Sequence, residues 1–120
     1  MPAALRRLAA LAALLCLAAG LAAQSPGFRS RSLLDSHYLK HVREFGNVSK
    51  DDYLRMAQDL RDARLSAQVV EFVREDGVIT RFHRGKGWFG AYNPDRTIRT
   101  FFIPRDGEMY FKRQARRPRQ

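Results

Sequence analysis

Apolar positions change their rhythm twice along this chain. Leu8 to Leu17 form an unbroken apolar run with no charge, polar residue or proline. From residue 33 the spacing becomes helical. Leu34, Tyr38, His41 and Phe45 follow one another at intervals of four, three and four, which predicts a first helix over about Leu33 to Phe45, stopped by Gly46-Asn47. Ser49 is placed to cap a second helix, with Asp51 and Asp52 in the first turn, where carboxylates complement the helix dipole. Tyr53, Met56, Ala57 and Leu60 make the apolar face of that helix, which is expected to reach about Arg64.

Beyond Gln68 the pattern shortens to strand-like runs separated by turn residues. Val69 to Arg74 and Val78 to Arg84 flank Glu75-Asp76-Gly77, a hairpin turn in which glycine can take positive φ. Gly85-Lys86-Gly87 leads to Trp88–Tyr92, and Asn93-Pro94-Asp95 to Thr97–Ile103, which Pro104 stops. Arg105-Asp106-Gly107 then introduces a short fifth strand at Met109–Lys112. Two helices followed by a meander predict an α+β fold, with two N-terminal helices packed on one face of a small antiparallel sheet of four to five strands. No internal repeat is visible.

The N-terminal run is set apart from this domain. Arg6 and Arg7 precede it, and the small residues Ala18, Ala19, Gly20, Ala22 and Ala23 follow it. Basic, then apolar, then small is the layout of a secretory signal peptide, and the run is too short for a good membrane span. Cleavage after Ala22 places Gly20 and Ala22 at the two positions that must be small. The organisation expected is a signal peptide at 1–22, a flexible lead at 23–32, the folded domain at 33–114 and a disordered basic tail at 115–120. The mature protein is expected to be secreted or periplasmic, free of the membrane and monomeric. The single cysteine, Cys16, lies inside the signal behind Leu15, so neither a disulfide nor a lipid anchor is expected.

Charge narrows the partners. Lys and Arg number 22 against 12 Asp and Glu, a formal net charge of +10, and only Arg6 and Arg7 leave with the signal. Arginine dominates, and its planar fork suits phosphates and base edges, so the balance leans toward nucleic acid. An ordinary basic surface or an arginine-rich genome gives the same count.

The first helix carries the most chemistry. His37 and His41 are four apart and project from one side, with Lys40 beside them. A histidine moves protons near neutral pH and a lysine offsets developing anionic charge, which is the set needed for RNA cleavage by 2′-hydroxyl attack without metal or cofactor. Set against this, His41 shares a stripe with Leu34 and Tyr38, where a histidine is more often a boundary residue. Zinc has two histidines at suitable spacing but no third ligand. In the sheet, Thr100 and Phe102 share one face of the fourth strand, while Thr97, Arg99 and Phe101 share the other. Arg81 and His83 share a face of the second strand.

Two strings resemble a known family. His37-Tyr38-Leu39-Lys40-His41-Val42-Arg43-Glu44-Phe45-Gly46, followed by Tyr53, resembles the opening of colicin D-like nuclease domains of the barnase–EndoU–colicin–RelE (BECR) superfamily. Thr97-Ile98-Arg99-Thr100-Phe101-Phe102-Ile103-Pro104, with Gly107 and Tyr110, resembles their closing strands. The likeness covers roughly Leu33 to Gln114. It implies a metal-independent ribonuclease of the secreted-toxin type, several relatives of which cut transfer RNA, and an acidic immunity or inhibitor protein as partner. It implies His41 as general acid/base, Lys40 on the scissile phosphate, Thr100 as the sheet hydroxyl and Phe102 near the aromatic partner. Arg99 is a weaker match, because strand alternation sets it opposite Thr100. This helix has no second lysine, so phosphate binding is expected from arginines such as Arg81. The alternatives are a non-catalytic basic module that binds nucleic acid or an acidic protein, and a periplasmic structural or inhibitor protein.

Overall fold

A computed structural model describes residues 25–116. The expected signal peptide, its cleavage site and the last four residues of the basic tail lie outside the described residues. Helix α1 spans Arg31–His41, with the Ser30 hydroxyl accepting from the Leu33 N–H as cap. It does not continue to Phe45 as an α-helix. It tightens into a 3-10 turn, Val42–Phe45, which Gly46 ends at φ 80° while its N–H reaches back to Arg43. Helix α2 spans Lys50–Asp62, capped by the Ser49 hydroxyl on the Asp52 N–H, with Asp51 and Asp52 in its first turn. Strands β1 (Val69–Val73), β2 (Ile79–His83), β3 (Trp88–Tyr92) and β4 (Ile98–Phe102) form an antiparallel sheet in sequence order. The protein is therefore α+β, with four strands among the described residues.

The fifth strand does not form. Met109–Lys112 lie inside helix α3, Glu108–Ala115. A four-residue apolar run cannot be told from helix by its period, and here packing decided the matter. Val78, Phe82, Phe89 and Ala91 are buried on the sheet face turned away from α1 and α2, and Phe111 and Tyr110 of α3 cover them. Helices thus lie on both faces, not one. Glu108 opens α3 and Lys112 and Arg113 close it, a charge order that suits the helix dipole. Ala115, the first residue of the expected disordered tail, belongs to this helix.

The opposite face carries the larger core. Tyr53, Ala57 and Leu60 of α2 meet Val69, Tyr92, Ile98 and Phe101 of the sheet, with Leu34 and Tyr38 of α1 and Phe45 around them. Buried hydroxyls in this core are satisfied: Tyr53 donates to the Phe101 carbonyl at 2.5 Å and Tyr92 to the Ala57 carbonyl at 2.8 Å. The Tyr92 ring folds back across Gly90, where a Cβ would lie 2.3 Å from its hydroxyl, so only glycine fits.

One irregularity orients β4. Ala91 pairs with Thr100 but Tyr92 pairs with Ile98, leaving Arg99 as the extra residue of a β-bulge. Ile98 and Phe101 consequently both face α2, and Thr100 and Phe102 face the other way. The expected grouping of Thr100 with Phe102 is observed. That of Arg99 with Phe101 is replaced by the bulge.

The stretch read as a flexible lead is docked where it is described. Gly27 accepts from the Ile98 N–H at 2.9 Å and Phe28 bridges to Ile98 in parallel. Arg61, its side chain 3% exposed, donates to the Pro26 carbonyl and the Ser25 hydroxyl and holds this segment from below.

Candidate functional site

Helix α1 runs beside the outer edge of β4. Phe28, just ahead of it, is anchored at Ile98, and His41 at its end lies over Phe102. The result is a file of rings. Phe28 stacks on His37 at 5.1 Å, His37 lies 6.3 Å from His41, and His41 stacks on Phe102 at 5.1 Å and 20°. Tyr110 of α3 meets Phe102 edge-on at 5.2 Å, and the Arg113 guanidinium lies 5.8 Å over the Tyr110 ring. The fold therefore brings together His37, His41 and Phe102, with Tyr110 from beyond the expected site.

His41 is buried, its side chain 11% exposed, and its Nδ1 lies 2.6 Å from Glu44 Oε2. A carboxylate only accepts hydrogen bonds, so Nδ1 carries the proton. His41 Nε2 has no hydrogen-bond partner among the described residues. It is not fully enclosed, because the one fully buried side-chain nitrogen or oxygen without a partner among those residues is His37 Nδ1. The other oxygen of Glu44 accepts from the Ile103 N–H at 2.8 Å, tying the end of α1 to the end of β4.

His37 is half-buried. Burial pushes its pKa below the usual histidine value, and the nearby charges of His41 and Lys40 push the same way. It is held neutral at physiological pH, with Nδ1 unsatisfied. Lys40 is exposed on α1, near enough to His37 for its charge to be felt. Thr100 is half-buried on the Phe102 side of β4, and its hydroxyl has no hydrogen-bond partner among the described residues.

Two residues expected in substrate binding are placed elsewhere. Arg81 lies on the α2 side of the sheet, opposite Thr100 and Phe102. Its guanidinium donates to the Leu60 and Ala63 carbonyls at 3.2 and 2.5 Å and pairs with Glu71 at 2.9 Å, so it closes the C-terminal end of α2 and is not free for phosphate. Arg99 sits on the bulge, exposed, with Asn93 Oδ1 at 3.4 Å. Arg43 on the 3-10 turn and Arg105 after β4 are exposed, carry no ion pair among the described residues, and flank the Glu44–Ile103 junction. They are better placed for an anionic ligand than Arg81.

Glu44 is the functional residue that sequence reasoning passed over. Its spacing from His41, three residues on, was the available signal. Among the described residues no group of three or more His, Cys, Asp or Glu side chains could hold a metal, and no helix is long and apolar enough to cross a membrane. No protein-family model and no curated protein matches the chain.

Proposed function

We propose that this chain is an exported, metal-independent endoribonuclease of the colicin D-like type. It cuts RNA, with transfer RNA as one substrate class, by attack of the 2′-hydroxyl on the adjacent phosphate. The observation that carries the reading is His41. Its Nδ1 is committed to a carboxylate, its ring is backed by Phe102, and its Nε2 has no partner among the described residues, with His37 6.3 Å away and Lys40 close enough to His37 for its charge to be felt there. Two sequence strings similar to one nuclease family come together at this place, which supports the same reading.

His41 Nε2 removes the proton from the 2′-hydroxyl, whose oxygen attacks phosphorus. The bond to the 5′-oxygen breaks, leaving a 2′,3′-cyclic phosphate, and the departing 5′-oxygen takes a proton from water to become a 5′-hydroxyl, while His41 later returns its own proton to solvent. A general base placed in hydrogen-bond reach contributes on the order of 10²–10⁴-fold. The Lys40 ammonium offsets charge on the phosphate oxygens, and the Thr100 hydroxyl offers them a donor. Phe102 and Tyr110 present ring surface on which a base can stack, a contact that tolerates sequence. His37, neutral and wedged between Phe28 and His41, buttresses the base rather than supplying a proton. An acidic protein that covers this basic edge is the expected inhibitor.

The low exposure of His41 favours a second reading, a basic module that grips RNA without cutting it. Purified mature protein incubated with total RNA and a chelator separates the two. Cleavage with cyclic phosphate ends, lost in a folded His41→Ala, is the expected result. Salt-sensitive RNA binding with no cleavage would establish the binding module instead.

A further inference from the structure

We infer that Glu44 is the positioning residue of this site: its carboxylate fixes His41 in the Nδ1–H tautomer and turns Nε2 outward, while anchoring the ring to the end of β4. The catalytic consequence rests on the ribonuclease reading above. The positioning itself does not.

The first reason is backbone geometry. His41 is the last residue of α1, and the chain then tightens to three residues per turn over Val42–Phe45. In an α-helix, residues three apart are offset around the axis. In a 3-10 turn they eclipse, so Glu44 stands in line with His41. The turn is closed by Gly46 at φ 80°, a conformation other residues rarely adopt. In this tight winding the carboxylate lies 2.6 Å from Nδ1.

The second reason is that Glu44 cannot easily turn away. Oε2 accepts from His41 and Oε1 accepts from the Ile103 N–H at 2.8 Å. Ile103 follows β4, at the open edge of the sheet, where its N–H would otherwise be unpaired. Rotation of the carboxylate would break a backbone hydrogen bond as well as the contact to histidine.

The third reason is the ring's own confinement. Phe102 lies against one face of His41 at 5.1 Å, and His37 lies 6.3 Å away along the same file. Flipping the imidazole would set a C–H against the carboxylate. Glu44 and Phe102 together therefore hold one orientation and one tautomer, which is how a paired carboxylate makes an imidazole a ready base. An ion pair that only latched α1 to β4 would need the Ile103 bond but would have no effect on which ring nitrogen carries the proton.

The test reads His41 directly. Long-range 15N–1H spectra of the 15N-labelled mature protein, above the histidine titration range, report the tautomer without any substrate. The wild type should show His41 as Nδ1–H. Glu44→Gln retains an acceptor for Ile103 and should melt close to wild type, yet it sets an amide N–H against Nδ1 and should shift His41 toward the Nε2–H form. Glu44→Ala should show His41 as a mixture of tautomers. With RNA, both variants should lose about 10- to 100-fold in kcat, part of the general-base contribution, with KM little changed. A wild-type His41 in the Nε2–H form would overturn the inference. So would a Glu44→Gln or Glu44→Ala protein with an unchanged His41 spectrum and unchanged kcat, and that result would leave the ribonuclease reading standing. A wild type inert on RNA whose His41 is nonetheless Nδ1–H would refute the ribonuclease reading and uphold the role of Glu44 in holding the ring.

Discussion

Replacing Arg61 by methionine tests how firmly the segment ahead of α1 is built into the fold. Methionine keeps most of the stem volume and removes the guanidinium. In the native protein that guanidinium donates to the Pro26 carbonyl at 2.5 Å, the Ser25 hydroxyl at 2.5 Å and the Arg96 carbonyl at 3.1 Å, and holds both oxygens of Asp62 at 2.9 Å. Hydrogen bonds to a charged group contribute about 1.5–3 kcal/mol each when buried. The sum is not expected, because Asp62 is 46% exposed and the freed acceptors can reach water once the segment loosens. Removing one partner of a buried pair costs about 3–5 kcal/mol, and the exposed carboxylate puts this case at the lower end, about 3 kcal/mol. For a domain of this size that corresponds to a Tm lower by about 12–24 °C.

A thermal melt followed by circular dichroism at neutral pH measures the loss. Asp62 adds a second readout. Its carboxyl is held below the usual range chiefly by the hydrogen bond from Arg61, so its contribution is present at neutral pH and is lost as pH falls through the depressed folded value. The gap between wild type and Arg61→Met should accordingly narrow in strong acid. A Tm change under about 5 °C at neutral pH would refute the reasoning, showing that the arginine is accommodated rather than structural. Because Phe28 stacks on His37, the variant should also expose His37 and raise its rate of modification by diethylpyrocarbonate.

Other consequences are more direct. Thr100→Val keeps the shape and removes a hydroxyl with no protein partner, so RNA cleavage should fall while the melt stays within a few degrees; unchanged cleavage would remove Thr100 from the site. His37 has a folded pKa below its unfolded value, so its contribution to stability is complete above about pH 6.5 and is lost as pH falls below that. Urea midpoints between pH 7 and 5 should fall, and His37→Gln should flatten that slope. Gly90→Ala should drive a methyl into the Tyr92 hydroxyl and cost about 1–3 kcal/mol of stability, read as a lower urea midpoint. Protein recovered from the medium or periplasm should have the mass of a chain beginning near Ala23; a full-length mass would exclude signal cleavage.

Much of the molecule was legible in the chain. The helical spacing of Leu34, Tyr38, His41 and Phe45, the capping Ser49 and the glycine-bearing turns are local features, and local geometry follows from them with little outside help. The start of α2 and the four strands lie close to where these signals put them, while α1 begins two residues earlier than expected, at Arg31. His37 and His41 share one helical turn and stay together in any fold that keeps the helix, whereas only the packing of α1 against β4 brings Phe102 to His41.

What the tertiary structure alone decided was each choice between two locally acceptable conformations. Met109–Lys112 suits a strand or a helix, and became a helix because Phe82 and Phe89 left an apolar sheet face to be covered. Arg81 resembles a phosphate ligand in sequence, but it lies on the α2 side where open carbonyls at the helix end engage it. The bulge at Arg99 could not be read from alternation, since one extra residue leaves the pattern on either side intact. Glu44 follows the same logic: it stands three residues from His41 in any conformation, but the fold decides that its carboxylate is pinned to the Ile103 N–H and held against Nδ1.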